Sequence, residues 1–198
     1  GSTALSHGWT MLQPEEWNRA PLPGADQDHV LTYLDALRNE PALGHRVMVV
    51  DSMGDRTAAV VAEYLAHRGH AVEFVTQLGQ PSPDLAASRD WGKTHGMLRR
   101  LGVTFTVDAV LTEIDGATVT LTDLYTHEFL GRESIDNIVL VKGAQAEDAL
   151  FHALAPRRAV GLDLHLIGDA LAPRRVADAI REGEMAAREI GEAAATAA

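Results

Sequence analysis

The period of the apolar positions changes several times along the chain, and each change marks an element. Arg46-Val47-Met48-Val49-Val50-Asp51 is a near-continuous apolar run, the pattern of a parallel strand buried on both faces. The loop Ser52-Met53-Gly54-Asp55 leads into a helical pattern carrying Ala59, Val60, Ala62, Tyr64 and Leu65, with Gly69 at its C′ position. Ala71 to Thr76 predicts the next strand, completing a βαβ unit of about 30 residues. Upstream, Asp26 predicts the N-cap of an amphipathic helix with Val30, Leu31, Leu34 and Leu37 on one face, ended by Pro41 and Gly44. Downstream, residues 79–88 predict a loop and Lys93 to Leu101 a helix ended by Gly102.

The middle of the chain changes character. Val103–Val107, Ala109–Ile114, Thr118–Asp123 and Phe129–Glu133 are short and rich in Thr and Val, and Asp115-Gly116 is a hairpin signal between two of them. These segments predict an antiparallel meander inserted in a parallel fold. Asn137–Val141 returns to the buried-strand pattern, Ala146–Leu154 reads as a helix, and residues 155–163 as a connection. A last apolar run, Leu164–Ile167, predicts a strand ending at Gly168-Asp169, followed by a short loop and a helix opened by Pro173. The order fits an α/β fold: a Rossmann-like three-layer nucleotide-binding domain of the glutathione-reductase type, with a small antiparallel sheet in place of one crossover helix.

Composition narrows the function. A net charge of −11 argues against nucleic acid or an anionic membrane as partner. The chain has no cysteine, so it cannot itself hold a disulfide or a thiolate-bound iron–sulfur cluster. No apolar stretch approaches the roughly 20 residues of a membrane span, and the expected location is the cytoplasm. The missing initial Met fits either a two-residue cloning remnant or a piece of a longer polypeptide.

The first βαβ unit is where the dinucleotide fingerprint G-x-G-x-x-G/A belongs. Registered backwards from Gly69, its third position falls on Ala58, which is acceptable, but the loop from Asp51 is too long and only Gly54 remains of the glycines. Asp51 and Asp55 would repel a pyrophosphate and fill the anion site at the helix N-terminus themselves. The next strand ends in Thr76, where an acidic residue should hold the adenosine ribose. Both defects argue against tight NAD(P)H binding; the alternative is a variant loop that binds the nucleotide in another pose.

The Gly168-Asp169 turn offers different chemistry. An Asp just beyond a strand can accept hydrogen bonds from a sugar or ribityl hydroxyl, and the N–H groups of a following helix attract anions. Arg174 and Arg175 fit either a bidentate grip on a pyrophosphate or salt bridges to an acidic surface. The competing reading is an ordinary βα turn with an exposed Asp. Lys142, before Gly143 at a strand end, fits a phosphate contact, a partner for Asp51 or a solvated edge lysine. His67 and His70 are three apart but separated by a helix-breaking Gly69, which favours surface histidines over a zinc pair. His165 reads as a satisfied core or edge histidine. Asp51, Ser52 and His70 contain the atoms of a triad without a nucleophile elbow.

Val47–His70, Asn137-Ile138-Val139-Leu140-Val141-Lys142-Gly143 and Leu166-Ile167-Gly168-Asp169-Ala170-Leu171-Ala172-Pro173-Arg174 together resemble the C-terminal part of the trimethylamine dehydrogenase, histamine dehydrogenase and 2,4-dienoyl-CoA reductase family of NADH:flavin oxidoreductases, over nearly all of the chain. The resemblance implies a rear piece, fragment or subunit, of a flavin oxidoreductase of the amine dehydrogenase or N-demethylase type, inactive alone. It implies an upstream barrel with FMN and a four-iron four-sulfur cluster, and an FAD/ADP-type half-domain, in the same polypeptide or another subunit. An electron-transferring flavoprotein as acceptor and an oligomeric complete enzyme are also implied.

Under this resemblance residues 1–40 are a crossing segment from an incomplete FAD/ADP-type domain, residues 41–158 an NAD(P)-type domain, and residues 159–198 the closing strand and helix of the FAD/ADP-type domain. The implied nucleotide contacts are Gly168, Asp169, Ala170, Arg174 and Arg175, with Gly1 as the glycine of an Ala-Thr-Gly strand end, and Gly54 and Gly143 on the degenerate NAD side. The cofactor is FAD or ADP in a partial site; no catalytic residue or metal ligand is expected. The alternatives are a non-catalytic Rossmann-like scaffold or docking domain, and a standalone NAD(P)-binding module.

Overall fold

The computed structural model describes residues 2–4, 22–39, 42–160 and 162–196. The elements run β1 (Ser2–Ala4), β2 (Val30–Thr32), α1 (Tyr33–Arg38), β3 (Arg46–Asp51), α2 (Arg56–His67), β4 (Ala71–Thr76) and α3 (Trp91–Arg100). Then come β5 (Thr104–Thr106), β6 (Ala109–Asp115), β7 (Thr118–Asp123), β8 (Phe129–Arg132), β9 (Asn137–Val141), β10 (Ala144–Ala146), α4 (Ala149–Leu154) and α5 (Val176–Thr196). The chain divides into a larger unit, Ala4–Gly143, and a smaller one of Gly1–Thr3 with Ala144–Ala198.

The larger unit is built on a five-stranded parallel sheet in the order β2-β9-β3-β4-β5. Its central strands alternate between two cores, because successive side chains point to opposite faces. Val47, Val49, Val72, Phe74, Val139 and Val141 pack with Ala58, Val61, Ala62 and Leu65 of α2. Met48, Val50, Val75, Ile138 and Leu140 pack with Leu111, Ile114, Val119 and Leu121 of the β6-β7-β8 meander. The unit therefore has three layers: helices, parallel sheet, antiparallel sheet. The β6–β7 connection is the two-residue turn Gly116-Ala117, with Gly116 at φ 55°, one position beyond the Asp115-Gly116 signal, because Asp115 still pairs with Thr118 at the end of β6. Arg132 of β8 reaches Glu73 of β4 at 2.9 Å, tying the meander to the sheet.

Several expectations change. Val30 and Leu31 do not belong to a helix capped by Asp26: Val30–Thr32 pairs in parallel with Ile138, Val139 and Leu140 as the sheet edge. The helix is short and starts at Tyr33, because Thr32 Oγ1 accepts the Asp35 N–H at 3.1 Å and caps it there. α3 starts at Trp91 rather than Lys93, and β5 and β8 are shorter than their apolar patterns. The predicted helix from Ala146 is shorter, because Ala144–Ala146 forms β10, paired with β1.

In the smaller unit Leu164–Ile167 is not a strand: among the described residues no strand pairs with it, and the Leu164 carbonyl accepts instead from the Arg158 guanidinium at 2.7 Å. Pro173 does not open a helix. Residues 172–174 are drawn into the Gly-Asp turn, where Arg174 Nε donates to Ala172 O at 3.2 Å, and α5 starts only at Val176. No helix among the described residues is long and apolar enough to cross a membrane.

Candidate functional site

The carboxyl ends of β3, β4 and β9 lie side by side: Asp51 is in register with Thr76 on one flank and Val141 on the other. In open α/β sheets this end is where ligands bind. The Ser52 N–H bonds the Val141 carbonyl at 3.0 Å, so the Asp51–Gly54 turn is anchored to β9.

Asp51 is 1% exposed. Its Oδ1 accepts the backbone N–H groups of Met53 and Gly54, each at 2.9 Å. The Ser82 N–H also faces the carboxyl. Burial pushes its pKa above the ordinary Asp value; the bonds from Gly54 and Met53 pull the other way, and the Asp55 charge adds to the rise. Asp51 Oδ2 and Ser82 Oγ are sealed from solvent without hydrogen-bond partners. Asp55 is the N-cap of α2, accepting the Thr57 N–H at 2.8 Å. Both carboxylates thus occupy helix and turn donors, as their positions in sequence predict.

Gly54 stands at φ 72°, and a Cβ there would meet Leu78 Cδ1 at 2.6 Å and Pro83 at 3.3 Å. Leu78 and Pro83 therefore pack against the Gly54 backbone on the side where a side chain would stand. Thr76 is buried and bonded within its own loop: its Oγ1 accepts the Leu78 N–H at 3.2 Å. Ala58, the third fingerprint position, is fully buried, as close helix–strand packing demands. Gly143 takes φ 94°, with the Met53 thioether 2.9 Å from where a Cβ would stand. Lys142 is half-buried, and burial pushes its amine down to about 8.

In the smaller unit Gly168 adopts φ 61° and opens a 3-10 turn with Asp169 and Ala170. Its N–H donates to Glu182 Oε2 at 2.7 Å, and the Arg174 guanidinium pairs with the other oxygen of the same carboxylate. The Arg174 N–H lies 3.5 Å from Asp169 Oδ1. The Arg175 carbonyl accepts the Asp178 N–H at 2.9 Å in the first turn of α5. Gly168 and Arg174 are thus two donors converging on one anionic group, and the carboxylate comes from α5. Gly1 lies outside the described residues.

Other candidates do not assemble. His70 Nδ1 lies 2.8 Å from the Gly44 carbonyl, and His67 3.9 Å from Glu63. No three potential ligands among the described residues could hold a metal. His165 lies in a segment that forms no strand and is half-buried, bonded to Asp163 at 2.9 Å. Glu182, Ser82 and Leu78 were not singled out by sequence. Nothing in the spacing joins Glu182 to Gly168, whereas Pro81-Ser82-Pro83 is a pattern that signals a fixed turn.

No family model matches the chain. It is 27% identical to dimethylamine dehydrogenase of Hyphomicrobium sp. (strain x) over 93% of its own length and 28% of that protein. Among solved structures it matches the 6-hydroxypseudooxynicotine amine oxidase of Pseudomonas geniculata N1 with TM-score 0.84 and 29% identity, covering 94% of this chain and 27% of that one. It matches histamine dehydrogenase from Rhizobium sp. 4-9 with TM-score 0.83 and 27% identity, covering 96% and 29%. The chain therefore spans less than a third of the relatives it matches, which are members of the trimethylamine dehydrogenase and 2,4-dienoyl-CoA reductase family of oxidoreductases, and it corresponds to their C-terminal portion.

Proposed function

We propose that the chain is the rear part of a flavin-dependent oxidoreductase that acts on amines, with FMN and the iron–sulfur cluster held upstream. The carrying observation is the likeness to two amine dehydrogenases and an amine oxidase over more than nine-tenths of the chain. In this reading the larger unit is a nucleotide domain of the glutathione-reductase type whose NAD(P)H site is degenerate. Reducing equivalents then arrive from the amine and leave to a protein acceptor, an electron-transferring flavoprotein.

The smaller unit is the closing part of an FAD/ADP-type domain. Gly168, Asp169, Ala170, Arg174 and Arg175 contribute nucleotide contacts, completed by an upstream half-domain. The donors suit the group: the Gly168 N–H and Arg174 already hold an anionic pair of oxygens. Exposed Val176, Ile180 and Met185 on α5 supply apolar surface for the missing half to cover.

The test is anaerobic titration of the complete polypeptide. Secondary or aromatic amines are expected to bleach its flavin, and NADH or NADPH to leave it oxidised. Bleaching by a nicotinamide nucleotide and not by amines overturns the proposal. The 198-residue chain alone is expected to be colourless and inactive, and to bind NADH with a dissociation constant on the order of millimolar.

A further inference from the structure

We propose that the larger unit keeps a phosphate-type oxyanion cradle at the carboxyl end of its sheet and fills it with its own Asp51 carboxylate, under a stopper made by Leu78 and Pro83. This rests on reading that unit as a degenerate nucleotide domain, and it states what keeps the nucleotide out.

The cradle is recognisable from its donors. The Met53 and Gly54 N–H groups converge on one point, with the N-terminus of the twelve-residue helix α2 immediately beyond. Successive N–H groups aimed at one point beside a helix N-terminus are a general means of binding phosphate. The Ser82 N–H faces the same carboxyl from the loop that follows β4, and the Ser82 hydroxyl is buried beside it.

The fit between cradle and occupant is incomplete. Oδ1 takes two N–H bonds while Oδ2 takes none, and the Ser82 hydroxyl, on a residue 1% exposed, has no partner. Buried polar atoms are nearly always paired, so two orphans at one place mark a mismatch. A planar carboxylate supplies two oxygens. A tetrahedral phosphate supplies more and reaches further, which is what a spare hydroxyl donor beside the N–H groups calls for.

The stopper is independent of the carboxylate. Gly54 is the turn residue at positive φ, and its N–H is one of the two that converge on Asp51. Leu78 Cδ1 lies only 2.6 Å from where a Gly54 Cβ would be, so the turn beside the cradle is capped by protein on that side. Leu78 is held there by its own N–H bond to Thr76 and by the Asp108 N–H bond to its carbonyl at 3.3 Å.

The experiment is calorimetric titration of the 198-residue chain with inorganic pyrophosphate and, separately, with NADH. Wild type and Asp51→Asn are expected to bind weakly, since the Asn side-chain oxygen still accepts from the cradle. Asp51→Gly is expected to bind pyrophosphate at least about tenfold more tightly, the scale of one charge-assisted hydrogen bond. Asp51→Gly with Leu78→Ala is expected to bind NADH more tightly as well. Folded variants that bind no better than wild type overturn the inference and leave the proposed function standing. Micromolar NADH binding by wild type overturns the degenerate-site reading itself.

A second measurement needs no variant to fold. In the wild-type amide spectrum the Met53 and Gly54 N–H resonances are expected to shift together in one acid titration. Asp55, Asp84 and Asp108 are the other carboxyl groups on the segments packed there, with Lys142 the nearby base, and shifts that belong to the carboxyl groups are read at the Thr57, Asp84 and Asp108 amides. Met53 and Gly54 resonances that stay still, or that follow only Asp55, Asp84 or Asp108, overturn the inference.

Discussion

The two units bury their apolar residues in opposite degrees. In the larger unit both faces of the parallel sheet are covered, and Val49, Phe74, Leu65, Leu121 and Leu140 are all sealed. In the smaller unit Ala186 is the only described apolar residue that is buried, while Val176 is 77% exposed and Ile180 68%. Yet each unit has a turn with a positive-φ glycine, Gly54 or Gly168, whose N–H donates to a carboxylate of its own unit. The larger unit completes its own core, and its carboxylate is sealed in. The smaller unit presents similar donors on a scaffold that leaves its apolar side uncovered. A core that closes by itself can lose its ligand and remain folded, whereas a part that exposes its apolar face depends on what covers it.

The comparison breaks most directly in the cores. Phe74→Ala is expected to destabilise the larger unit by about 3 to 5 kcal/mol, the cost of an emptied aromatic site. Ile180→Ala on the exposed face of α5 should change stability by less than about 0.5 kcal/mol in this chain. Urea unfolding followed by circular dichroism reads both, and equal losses would erase the distinction.

A smaller effect tests the nucleotide contact assigned to the smaller unit. In the complete protein Asp169→Ala is expected to lower FAD or ADP retention by about tenfold to a hundredfold, the loss of a charged acceptor worth roughly 1.5 to 3 kcal/mol. Asp163→Ala, whose partner is His165, is the control and should leave retention unchanged. Equal nucleotide content in both variants would make the Gly-Asp turn purely structural.

Lys142 gives a pH test of comparable or smaller size in the larger unit. Its folded value is about 8 against an ordinary 10.5. Between those values the unfolded chain holds a proton that the folded chain has released, so this residue's contribution to stability rises with pH across that window. Below it the charged, half-buried amine costs stability. Lys142→Met should remove the rise, a difference on the order of 1 to 2 kcal/mol after allowance for screening. Denaturation midpoints on either side of the window, for wild type and variant, check the sign.

The smallest effect concerns the turn itself. Asp55→Ala removes the side-chain cap of α2 and should cost about 1 kcal/mol. The Met53 and Gly54 N–H groups should stay bonded to Asp51, so their hydrogen exchange should slow relative to Thr57 in that variant. Loss of protection at all three would mean that the two carboxylates act as one unit.

Much of this was legible in order along the chain. The Arg46–Asp51 and Asn137–Val141 runs became central strands with the predicted bounds, because a strand buried on both faces is apolar at every position. Asp115-Gly116 placed the hairpin, Gly69 the end of α2, and Asp51 and Asp55 their own donors. Such features depend on residues a few positions apart, where backbone period and steric limits act alone. Val30–Thr32 misread as helix because three residues carry too little period to separate the two, and its partner strand is more than a hundred positions away. Leu164–Ile167 misread as strand because a strand exists only with a neighbour to pair its N–H and C=O groups. Glu182 on Gly168, and Leu78 over Gly54, were equally out of reach. The sequence by itself determined the long strands and helices of the larger unit, their buried alternation and the carboxylates at the end of β3. Only the tertiary structure decided which groups face each other across the turns, because those contacts are set by how distant segments pack.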